Sequence, residues 1–259
     1  MTYCVGVKLA EGLVLASDSR TNAGVDHIAT FRKMALFEEP GEAVIVLLSA
    51  GNLATTQSTL STLRQRLRDD HEQNLFNQKS LYDVAVLVGA TVREIIHRDA
   101  PPNCRSEVDY GCSFLLGGQI DGEEPRLFNI YPQGNFIEAT PDTPFFQIGE
   151  AKYGKPILDR VIQYDTPIRQ AAKCVLISFD SSIRSNVSVG LPIDLVCYRA
   201  GSLRVEQSHR IDEADPYFQM IRREWSRGLR ETFSRIEEPP YFDKVGPDTP
   251  GPGPSTPGD

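Results

Sequence analysis

The sequence predicts an α+β protein in which two sheets pack face to face with helices on both outer faces, a four-layer αββα sandwich. Strand-like segments come in groups, helix-like segments come in pairs between those groups, and the two kinds never alternate one by one as in a doubly wound fold. A phosphate-binding loop is also missing after the first strand, because Gly6 and Gly12 have the wrong neighbours for one.

Residues 2–9 (TYCVGVKL) and 12–18 (GLVLASD) read as an antiparallel hairpin turning at Ala10-Glu11-Gly12. Segments 30–37 (TFRKMALF) and 43–49 (EAVIVLLS) predict two further strands. The second is continuously apolar, as a strand covered on both faces should be. Gly51 ends it. From Asn52 to about His71, Leu53, Leu60, Leu63 and Leu67 recur at helical spacing. A second helix over 80–98 carries Leu81, Val84, Val88, Val92 and Ile95 on one face, with Ser80 placed to cap it.

Strands return at 112–120 and 125–133, then at NFIEA and FFQIG, with turns at Asp121-Gly122 and Gln133-Gly134. Two helices follow, KPILDRVIQY and TPIRQAAKCVLISFDSSIR, each with a proline in the first turn, where its missing N–H is harmless. IDLVCYRAG and SLRVEQSHRI predict a hairpin through Ala200-Gly201, and an amphipathic helix over 215–233 closes the core. Residues 1–236 thus form one domain. Residues 237–259 are dense in proline and glycine and poor in core formers, which predicts a disordered tail or loose arm.

Composition excludes several function classes. A net charge of -8 without any basic run argues against nucleic-acid binding. No apolar run reaches membrane-spanning length, and the N-terminus lacks the pattern of a signal peptide. Cys4, Cys104, Cys112, Cys174 and Cys197 are odd in number and mostly set in apolar segments, which suits reduced cysteines of a cytoplasmic protein. His27, His71, His97 and His209 show no metal-ligand spacing, so neither a metal nor an organic cofactor is expected.

Thr2 stands directly behind the initiator methionine and leads into the first strand. Removal of Met1 would leave a hydroxyl and a free amine on one residue. A hydroxyl attacks well only when a base takes its proton, and a terminal amine titrates close enough to neutrality to do so. A lysine nearby would hold that amine uncharged by like-charge repulsion. Asp18 ends the second strand, where the hairpin returns it beside Thr2, and Lys33 lies on the next strand.

The stretch TYCVGVKLAEGLVLASDSRTNAGVDHIATFRKM resembles the start of a proteasome β-type subunit, with its terminal threonine, its A-x-D-S-R strand end and a lysine about fifteen residues on. The methionine before Thr2 resembles the bacterial branch that includes HslV. The segments SAGNLATTQS and IGEAKYGKPILDR resemble Anbu, the ancestral β-subunits. The similarity extends over roughly residues 2–233. It implies an N-terminal nucleophile hydrolase fold and a threonine peptidase. Thr2 would be nucleophile and its amine the base; Lys33 would tune that amine, Asp18 would fix Lys33, and the N–H of Gly51 would hold the oxyanion.

The resemblance also implies a homo-oligomer, as a ring or open spiral, and raises an unfoldase partner. Two motifs depart from the pattern. The G-S-G turn of the family reads Gly149-Glu150-Ala151 here, leaving Glu150 either in a different network or on the surface. The Asp-x-x-Ser-Gly element reads SNVSVG, with Asn186 in the aspartate's place and Ser188 one position off the serine. An amide can hydrogen-bond the amine but supplies no charge. Two other functions therefore stay open: an amidohydrolase for a small amide or conjugate, and a catalytically silent assembly subunit.

Overall fold

The structure is a computed structural model that describes residues 2–22, 28–100 and 108–241. Met1, His27, Cys104 and residues 242–259 of the predicted tail lie outside the described residues. Two compact units are distinguished, Met1–Arg222 and Arg223–Asp259.

The first unit holds two five-stranded antiparallel sheets. One has the order β10-β1-β2-β11-β12, with β1 Tyr3–Leu9, β2 Gly12–Asp18, β10 Phe145–Gly149, β11 Ile193–Arg199 and β12 Gln207–Ile211. The other has the order β5-β6-β7-β8-β9, with β5 Met34–Glu39, β6 Ala43–Gly51, β7 Cys112–Ile120, β8 Arg126–Ile130 and β9 Phe136–Glu138. Side chains alternate across β1 and β2, as strand geometry requires. Cys4, Leu13 and Leu15 face the second sheet, where they meet Val44, Val46, Leu48, Leu115 and Leu127.

Tyr3, Val5, Val7, Val14 and Ala16 face outward onto α3 (Lys155–Val161) and α4 (Ile168–Ser185). The second sheet buries Ile45, Leu47, Phe114 and Phe128 against α1 (Leu53–Arg68) and α2 (Leu81–Asp99). Each such side chain removed from water contributes about 1.5–3 kcal/mol. The result is the αββα sandwich. Phe218 and Ile221, early in α5 (Pro216–Phe233), join the outer core of the first sheet.

Caps explain where the helices begin. Asn52 accepts the Thr55 N–H at 3.1 Å and opens α1; Ser80 accepts the Asp83 N–H at 3.1 Å and opens α2. Pro167 stands just before α4, whose first N–H, on Ile168, donates to the Glu11 carboxylate at 3.0 Å.

Several elements differ from the sequence expectation. The strand predicted over 202–211 begins only at Gln207, because Leu203 takes a left-handed φ of 44°. The helix predicted to about His71 ends at Arg68, because Asp70 takes a left-handed φ of 46°. The helix predicted through Tyr164 ends at Val161, since the Tyr164 carbonyl is drawn away to accept the Ala10 N–H at 2.8 Å. The strand predicted over 30–37 is broken. Its first residue ends β4 (Ile28–Thr30), which pairs with β3 (Arg20–Asn22) in a separate ribbon, and β5 starts only at Met34.

The break has a local cause. Phe31 N–H donates to the Ser19 carbonyl at 2.9 Å, while the Lys33 carbonyl accepts the Ser49 N–H at 2.9 Å. The chain therefore crosses from the ribbon to the second sheet between these two anchors, and Lys33 sits at the crossing.

Candidate active site

Thr2 stands at the end of β1, between the end of β2 and the end of β10. The register pairs Cys4 with Ser17 and Tyr3 with Gly149, so Asp18 and Glu150 arrive on either side of the first threonine. Its backbone is held tightly. The Glu150 N–H donates to the Thr2 carbonyl at 2.5 Å. Gly149 has φ +83°, and a Cβ there would lie 2.1 Å from the Thr2 carbonyl oxygen, so only glycine permits this approach.

Asp18 is fully buried and collects three donors. Its Oδ1 accepts Lys33 Nζ at 2.6 Å and the Tyr3 N–H at 3.0 Å, and its Oδ2 accepts the Gly190 N–H at 3.3 Å. Burial pushes the Asp18 carboxyl up, while the Lys33 ammonium and the two backbone donors pull against that rise. Lys33 Nζ also donates to the Arg20 carbonyl at 2.6 Å. The lysine, only 5% exposed, is thus fixed by one carboxylate and one carbonyl.

Thr2, Lys33 and Gly51 line a single cleft of about 370 Å³, together with Ser49, Gln57 and Gly149. Asp18 lies behind Lys33, outside the lining. Gly51 ends β6 with φ +107°, and a Cβ there would meet the Gly111 carbonyl oxygen at 2.5 Å. The positive φ turns the chain at the cleft wall, immediately before α1. The cleft therefore presents a hydroxyl-bearing residue, a paired ammonium and a glycine backbone to one space.

Asn186 and Ser188 do not line that cleft. Asn186 caps the C-terminus of α4, and its Nδ2 donates to Glu150 Oε2 at 2.6 Å. Its Oδ1 accepts the Ser188 N–H at 2.9 Å. Asn186 thus reaches Thr2 only through Glu150, and Ser188 only through Asn186.

Glu150 is buried and networked. Burial pushes its carboxyl up, but the Lys152 N–H and the Asn186 amide outweigh that and hold it below the usual carboxylate range. A group lowered in the folded state contributes stability above its unfolded pKa of 4.5, lost as pH falls through the folded value. Glu150→Gln should therefore flatten the acid limb of a thermal-melting profile below about pH 4.5. A profile superimposable on that of the unsubstituted protein would refute the assignment.

Sequence reading did not single out Gly149, Ser49, Gln57 or Arg32 as lining residues. Gly149 was visible beside Glu150 in IGE, and Arg32 beside Lys33. The contacts through the Arg20 carbonyl and the Gly190 N–H involve backbone atoms, for which residue identity carries no signal.

Comparison with known proteins agrees with this architecture. The family model described as proteasome subunit matches residues 2–196. Proteasome subunit beta 2 of Pyrobaculum calidifontis is 25% identical over 204 residues, covering 78% of this chain and 91% of the relative. Among solved structures, Anbu from Yersinia bercovieri is 58% identical with a TM-score of 0.87, covering 91% of this chain and 98% of that one. The helical assembly of the Anbu complex from Pseudomonas aeruginosa is 56% identical with a TM-score of 0.89, covering 93% and 99%. With its strand order, its two-sheet core and Thr2 in the cleft between sheet ends, the chain belongs to the proteasome-subunit family, in its Anbu branch.

Proposed function

We propose that this chain is a proteasome-type threonine hydrolase that cleaves amide bonds of peptides through Thr2 once Met1 is removed, with residues 1–236 as its working domain. The observation that carries the reading is the meeting of Thr2, Lys33 and Gly51 on one cleft, with Asp18 bonded behind Lys33 at 2.6 Å. The freed Thr2 amine takes the proton of its own hydroxyl as Oγ attacks the scissile carbonyl carbon. The resulting oxyanion is held by the Gly51 N–H.

The amine then returns the proton to the leaving nitrogen, the C–N bond breaks, and an ester remains on Thr2. Water, deprotonated by the same amine, hydrolyses the ester. Lys33 keeps the amine uncharged near neutrality, where an unperturbed terminal amine titrates at about 7.7–8.0. Asn186 and Ser188 act at one remove, by orienting Glu150 against the Thr2 backbone.

The reading includes self-association in the cytoplasm. Its support is the Pseudomonas aeruginosa relative, whose structure is a helical assembly, and the lack of any described helix long and apolar enough to cross a membrane. The first test is the intact mass of the purified protein. Met1 should be absent; a retained methionine leaves no free Thr2 amine and ends the proposal. Unfolded protein and small amides, supplied side by side, then separate a peptidase from a specialised amidohydrolase.

A further inference from the structure

A second cavity of about 600 Å³ adjoins the Thr2 cleft, and Arg32, Gln57 and Leu60 line both. Its charges are unbalanced. Among the described residues, the one acidic residue lining either space is Asp194, and both its oxygens are taken by Arg210 Nη1, at 2.7 and 2.9 Å. Lys33 is already paired with Asp18 at 2.6 Å. Arg32 and Arg64 remain. Among the described residues neither guanidinium forms an ion pair with a carboxylate, and Arg64 lies over the Phe37 ring at 5.8 Å. Two uncompensated cations, Arg32 on the Thr2 cleft and Arg64 on the adjoining cavity, stand out in a chain whose net charge is -8.

The geometry also orders them. α1 starts two residues after Gly51, and Leu53, Gln57, Leu60 and Arg64 follow at spacings of four, three and four, one face of a helix. That face leads away from Gly51, the group proposed to hold the scissile carbonyl oxygen. Arg32, next to Lys33, stands at the near end. Arg64 lies about 16 Å along the helix axis from Leu53, at the far end. In an extended peptide, alternate side chains share a face and recur about every 7 Å. A carboxylate near the scissile carbonyl would meet Arg32, and one four residues upstream, about 14 Å along the strand, would come level with Arg64.

Resting on the hydrolase reading of the same cleft, we propose that the site selects acidic peptides, with carboxylate side chains on the acyl side of the scissile bond read by Arg32 and Arg64. The carboxylate–guanidinium contact is the forked, charge-assisted kind, which neither an amide nor a lysine can replace.

The test uses the full chain carrying Thr2→Ala, so that binding is read without turnover. Fluorescent peptides with Glu-X-X-X-Glu, Gln-X-X-X-Gln or Lys-X-X-X-Lys ahead of the terminal amide are titrated by anisotropy. The Glu peptide should bind about tenfold more tightly than the Gln peptide, and this preference should shrink at high salt. Adding Arg32→Gln and Arg64→Gln together should abolish it, and each alone should relax one position. Melting temperature should not move, since both arginines are exposed.

Equal binding of the three peptides, no binding of any, or a preference surviving both arginine changes would overturn the proposal. Release of fluorophore by the protein with Thr2 intact is scored separately. Selective binding without any release sinks the hydrolase reading and leaves the acidic selectivity standing.

Discussion

Thr2→Ala should abolish covalent labelling by a threonine-directed electrophile and lower peptide cleavage by at least about a thousandfold, while melting temperature and assembly stay unchanged. The expectation of a large catalytic effect follows from the proposed chemistry, in which the Thr2 hydroxyl is the attacking group and its own amine the base. The expectation of a small structural effect follows from how the residue is held. The Glu150 N–H bonds its carbonyl and Gly149 packs on its backbone, and neither contact needs the side chain. Alanine also permits removal of Met1, so the amine is still freed. Thr2→Ser should restore labelling at a reduced rate. Equal labelling of Thr2→Ala and the unsubstituted protein would remove Thr2 from the mechanism.

The sandwich was legible because its strands alternate cleanly. Cys4, Leu13 and Leu15 turn to one side of the first sheet and Tyr3, Val5 and Val7 to the other, and that period of two is written in the residues themselves. The ribbon of β3 and β4 was not legible. It interrupts a segment whose composition reads as a single strand, and its cause is tertiary, in the Phe31–Ser19 and Lys33–Ser49 backbone bonds. Those two bonds place Lys33 where it can turn its ammonium onto Asp18. Local propensity sees one strand where long-range bonding makes two, and Lys33 occupies the difference.

The same limit applies around Asn186. Its position in SNVSVG matches a family motif, but a motif fixes a residue's place along the chain and not its partner. The amide meets the Glu150 carboxylate, and Glu150 meets Thr2 through its N–H rather than its side chain. The two departures from the family pattern are therefore one arrangement. A carboxylate stands at one position and an amide at the other, and the amide donates to the carboxylate.

Asp18→Ala should be the most destabilising substitution in the site, at about 3–5 kcal/mol, because it breaks a buried ion pair by removing one partner. Lys33 would keep only the Arg20 carbonyl, and the Tyr3 and Gly190 N–H groups would lose their acceptor. Lys33→Met should cost less, since Asp18 keeps two backbone donors and burial already favours its protonation. Stability alone cannot separate a structural ion pair from one that tunes the Thr2 amine, but a double substitution can. Lys33→Met with Asp18→Asn removes both charges and should recover part of the lost stability, measured by denaturant unfolding. Labelling of Thr2 near neutral pH should not recover with it, because no cation then remains to hold the amine uncharged. The lost rate should return as pH rises past the ordinary range of a terminal amine, about 8. A double variant that labels at the original rate at neutral pH would confine Asp18 and Lys33 to holding the fold.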